Sequence, residues 1–216
     1  MNLAELRAKL QFLVNVNPGQ TSQDFAGPAA DVNKRYDGAI NEAYRDEVSH
    51  GKTISRSWFR RAAAFTWTAD AESMTIPEWA RGRDVEVIRD DTDASPGTMI
   101  YLRGPNEEAS GLYRSSGDTW TWTPAPDSER TLTIIHMAEA AEMTADAETP
   151  ELIPPMHHDL LVWGAAILLK IIGDEDAPKR WVERHTELRF LFHKELSRGN
   201  PRAFPAPGIT NHNRGI

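Results

Sequence analysis

The residues whose types could do chemistry are few, and their spacing rarely brings them together. His157-His158-Asp159 is the first candidate for a metal site. Metal ligands on a helix need a spacing of three or four so that they share a face. Adjacent side chains diverge by about 100° and do not chelate together, so this triplet reads as a partly exposed helix start. His185 and His193 stand eight apart, roughly two turns, too far to share one ion. His185 is expected to be a satisfied core or interface histidine. Gly51-Lys52-Thr53 has the last residues of a phosphate-binding loop. That loop's first glycine would fall at Asp46, and a helix precedes it where a strand is needed. Neither a G-x-S-x-G elbow nor a G-x-G-x-x-G loop is present.

The acidic clusters have simpler readings. Asp174-Glu175-Asp176 suits the start of a helix, where carboxylates cap free N–H groups and meet the positive end of the dipole. Asp90, Asp91 and Asp93 lack the spaced glycine and final glutamate of a calcium loop and read as a polar turn. Trp120 and Trp122 could stack on a sugar or a base, but a small sheet needs large residues on its inner face. A hydrolase built on Asp118 or Glu129 beside that face lacks a second carboxylate at a fixed distance. No residue set makes an active site, and no cofactor or metal is expected.

The elements that would carry these residues follow from periodicity. Leu3, Leu6, Leu10 and Leu13 recur at helical spacing, Asn2 and Glu5 form a capping-box pattern, and Asn17-Pro18-Gly19 stops the helix. A second helix is expected over Asp31–Ser49, buried through Val32, Tyr36, Ile40, Ala43, Tyr44 and Val48, with Asp31 as cap and Gly51 as terminator. Between about Ala62 and Thr149 the period becomes two. Strands are expected at Ala64–Ala69, Ser73–Ile76, Asp84–Arg89, Thr98–Leu102, Gly111–Arg114, Thr119–Thr123 and Thr131–Met137. Helical period returns after Pro154, and Met156–Ile172 is apolar on nearly every face, which predicts burial all round. Gly173 ends it. A last helix, capped by Asp176, buries Trp181, His185, Leu188, Phe192 and Leu196.

The chain is therefore expected to be α+β. A bundle of about four helices (residues 1–61 and 150–198) carries a small antiparallel β insertion (62–149) and ends in an extended arm (199–216). Its 216 residues contain no cysteine, which excludes a disulfide scaffold and a thiolate zinc site. No basic-then-apolar leader is seen at the N-terminus, so export by that route is not expected. The longest strongly apolar stretch, Leu160–Leu169, is shorter than the roughly 20 residues of a membrane span. The net charge of −8 weighs against a general binder of phosphate backbones. Residues 62–148 hold 6 Lys+Arg against 17 Asp+Glu, whereas residues 198–216 hold three arginines and no acid.

The order helix, helix, β insertion, buried helix, helix, tail resembles the head-to-tail connector (adaptor) proteins of tailed bacteriophages. The stretches that carry the resemblance are Leu3-Ala4-Glu5-Leu6-Arg7, Ala39-Ile40-Asn41-Glu42-Ala43-Tyr44-Arg45, Trp120-Thr121-Trp122-Thr123-Pro124-Ala125-Pro126, and Thr149–Pro154 followed by His157–Val162. The resemblance implies a structural virion protein without catalysis or cofactor. It would form a ring, usually dodecameric, beneath the portal protein at the neck, contact further neck or tail proteins, and be found in host cytoplasm during assembly. DNA would pass through without specific binding. A tail-completion or stopper protein is the alternative within the virion. Prolines at 201, 205 and 207 bias the tail toward extended backbone. Arg198, Arg202, Phe204, Ile209 and Arg214 are its candidate docking residues, an expectation that the resemblance to portal-gripping tails strengthens.

Overall fold

The computed structural model describes residues 1–15, 29–76, 85–93, 97–100, 111–116, 119–173 and 176–198. The described residues are 50% helix and 23% strand, so the chain is α+β. The described residues fall into two compact units, 1–58 with 139–198, and 59–138.

The first unit is helical. Helix α1 spans Leu3–Asn15. Its start is the reciprocal capping box: Glu5 N–H donates to Asn2 Oδ1 (2.9 Å) and Asn2 N–H to Glu5 Oε2 (3.1 Å). Leu3, Leu6 and Leu10 are fully buried, while Leu13 is only half-buried. Helix α2 spans Ala29–Ile54 and buries Tyr36, Ile40, Ala43, Tyr44 and Val48. Two expectations are corrected there. Asp31 lies inside the first turn rather than capping it, and Gly51 does not end the helix. An interior glycine costs about 1 kcal/mol, which a 26-residue helix tolerates when its face is packed. A four-residue helix, α3 (Arg56–Phe59), follows.

A 3-10 turn at Pro155–His157 leads into α4 (His158–Ile172), and α5 runs Lys179–Ser197. Helix α4 is central in this unit, packing on α1, α2 and α5. Burial all round does not hold: Leu160, Leu161, Val162, Ala165, Ala166 and Leu169 are buried, but Ile171 and Ile172 are 60% and 76% exposed. Its three neighbours leave the last turn open. In α5 the spacing places Trp181, Leu188, Phe192 and Leu196 in the core. The N-cap position belongs to Pro178, not Asp176.

Residues 139–149 have no periodic pattern, yet they are tied to the helices. Asn41 Nδ2 donates to Met143 O and Met143 N–H donates to Asn41 Oδ1, both at 2.9 Å and both buried. Glu148 O and Asp146 O accept the first N–H groups of α1, from Leu3 (2.8 Å) and Ala4 (3.2 Å). Arg7 forks onto Asp37 (2.6 and 2.8 Å) and reaches Asp146 (3.0 Å).

The second unit is more than a small insertion. Among the described residues seven strands, β1 (Arg60–Trp67), β2 (Ser73–Thr75), β3 (Val85–Asp90), β4 (Thr98–Ile100), β5 (Gly111–Ser116), β6 (Thr119–Thr123) and β7 (Arg130–Met137), form two antiparallel sheets. Their orders are β1-β7-β3-β4 and β2-β6-β5. Both sheets contribute to one core of Trp67, Ile76, Ile88, Leu112, Trp120, Leu132 and Ile134. Alternation explains the pattern: Leu132 and Ile134 on β7 face inward, as does Trp120 on β6.

Candidate functional site

Among the described residues, the candidate metal-binding histidines are held in structural contacts. His157 and His158 are both buried, which corrects the expectation of partial exposure. They point to different partners, as adjacent helical positions require. His157 Nε2 lies 2.5 Å from Glu195 Oε2 on α5. His158 Nε2 lies 2.9 Å from Ile153 O and Nδ1 2.7 Å from the Met1 ammonium nitrogen. Burial holds the His158 imidazole below its usual pKa, despite its hydrogen bond to the Ile153 carbonyl.

His185 joins a charge cluster built around the buried Glu47 between α2 and α5. Glu47, 1% exposed, accepts from Arg189 Nε at 2.8 and 3.1 Å, from Arg189 Nη2, and from His185 Nε2 at 3.1 Å. Asp46 Oδ2 takes Arg189 Nη2 at 2.9 Å. Burial pushes the Glu47 carboxyl up, but the hydrogen bonds and charge of His185 and Arg189 outweigh it, leaving the carboxyl below its usual pKa. Sequence reasoning missed this cluster because its partners stand 138 and 142 residues apart.

Gly51-Lys52-Thr53 is a stretch of α2, not a loop. The turn after β3 is held by its own aspartates: Asp90 Oδ1 accepts Thr92 N–H (3.1 Å), and Asp91 accepts Gly97 N–H (2.7 Å) and the Thr133 hydroxyl (2.5 Å). Trp120 is fully buried, and Trp122 meets Trp67 edge-on at 5.6 Å. Glu129 is exposed. Asp118, Asp174 and Glu175 lie outside the described residues. Among the described residues, no group of three His, Asp or Glu side chains could hold a metal ion.

What the helical unit offers is surface. Phe12 on α1, Met156 before α4, Ile171 and Ile172 ending α4, and Val182, Phe190 and Leu191 on α5 are exposed. Near the end of α5 a cleft of about 450 Å³ is lined by His157, Leu191, Lys194, Glu195 and Arg198. Large apolar side chains left in water at several helix faces suit contact with other proteins better than catalysis. Of the candidate docking residues, Arg198 closes α5 at this cleft; Arg202, Phe204, Ile209 and Arg214 lie outside the described residues. The window Pro155–Ile172 is apolar and long enough to cross a membrane by composition alone, but half of it is buried inside the protein.

Comparison with known families gives this surface a context. The family model for the SU10 adaptor protein matches residues 1–190. The chain belongs to the SU10 adaptor protein family. Membership makes it a phage adaptor protein, a structural part placed at the virion neck that interacts with other capsid or tail proteins. No curated protein matches the chain.

Proposed function

We propose that this adaptor forms a ring through its exposed helix faces beneath the portal protein, where it lengthens the DNA channel and joins capsid to tail. The observation that carries the reading is the family match over residues 1–190. The exposed apolar side chains of α1, α4 and α5 support it. A dodecamer is the stoichiometry proposed, reached when the portal serves as template. The excess of acid in residues 62–148 would let DNA slide past without specific binding.

Residues 199–216 are proposed as the arm that grips the portal or a neighbouring subunit. Phe204 and Ile209 would fill apolar pockets, and Arg198, Arg202 and Arg214 would meet acidic rims. At ~3.3 Å per residue the arm can reach on the order of 60 Å. Truncation after Arg198 tests it by co-sedimentation with portal rings. The shortened chain should keep its helix content and melting temperature and lose most of its portal attachment. Attachment as tight as that of the full chain refutes the arm.

A further inference from the structure

The α2–α5 seam has a feature that the assembly role does not use. His185, Arg189 and His193 recur every fourth residue on α5 and so form a column on one face. On α2 they meet Asp46, Glu47 and His50. The two carboxylates are already engaged by Arg189, and Glu47 by His185 as well. The remaining pair, His50 and His193, meets edge-on with ring centroids 6.5 Å apart. His193 Nε2 is buried without a hydrogen-bond partner among the described residues, while His50 is exposed. Helix α4 adds Gly164, whose missing side chain leaves room for the His185 ring: a Cβ there would stand 3.2 Å from His185 Nε2.

We infer that this column is a proton-sensitive clasp, which seats α5 on α2 while His193 is neutral and loosens α5 when His193 takes up a proton. The groups acting on His193 are Glu47, which favours its charge, and Arg189 and His50, which oppose it. A proton on His193 finds both carboxylates of the column already held by Arg189. Burial already disfavours the charged form of His193. The unfolded or detached helix binds that proton more readily, so acidification from about pH 6.5 downward draws α5 off the seam.

Hydrogen exchange of the full chain, followed by mass spectrometry at pH 7.5 and 5.5 and corrected for intrinsic rates, tests this. Peptides from α5 should lose about tenfold more protection at the lower pH than those of α1 and the sheets. His193→Gln should abolish that loss, and His50→Gln, at an exposed position, should reduce it. The inference is overturned by equal α5 protection at both pH values in the native chain, by a loss shared equally with α1, or by the full loss persisting in either variant.

Discussion

Asn41→Ala is the most direct probe of how the helical unit holds the segment that returns from the sheets. Asn41 is 3% exposed and acts as a backbone mimic, giving one hydrogen bond to Met143 O and taking one from Met143 N–H. Alanine removes both and strands two buried main-chain groups. Each stranded group costs about 1–3 kcal/mol, so a loss of about 2–6 kcal/mol is expected. For a chain of this size that corresponds to a fall in melting temperature of roughly 4–24 °C. Thermal melting followed by circular dichroism at the helix signal reads it. Asn41→Asp keeps the acceptor but sets a carboxylate against the Met143 carbonyl, so it should be no better than alanine. A shift below about 2 °C for Asn41→Ala would show that the segment is held elsewhere and that the clamp reasoning is wrong.

Two further changes test the packing and the charge states. Gly164→Ala places a methyl 3.2 Å from His185 Nε2 and 3.3 Å from Ala43 Cβ, so it should destabilise by about 1–3 kcal/mol, the range for overpacking; a stabilised variant in chemical denaturation would contradict the close approach. His158, whose pKa burial lowers, takes up its proton more readily when unfolded, so stability should decline as pH falls from about 6.5 toward the folded value, by up to about 1.4 kcal/mol per pH unit. Urea midpoints between pH 7.5 and 5 should show a shallower decline in His158→Gln, and an unchanged slope would remove His158 from the account.

The sequence was most legible where one face of an element is buried. The Leu3, Leu6, Leu10 stripe placed α1, and the alternation Thr119-Trp120-Thr121-Trp122-Thr123 placed β6 with both tryptophans on the core side. Signals that rest on single residues were weaker. Gly51 could end a helix or be carried within one, and the packed face decided for continuation. Arg60–Ala63 belong to β1 although they lack the branched side chains that announce a strand; pairing with β7 supplies the stability. The α3 helix is too short for any period to show. Long-range polar ties were not legible at all, since nothing local to Asn41 or Met143, or to Glu47 and Arg189, announces the partner. Apolar excess on α4 was visible, but only the packing of its neighbours shows that the excess stays uncovered at Ile171 and Ile172.

Electron microscopy of the full-length protein mixed with purified portal rings tests the central claim most directly. The account predicts a closed ring of this chain seated coaxially beneath the portal, with neighbouring copies touching through the helical units. Portal rings that stay bare at saturating protein, or a ring whose copies meet only through their β sheets, would contradict it.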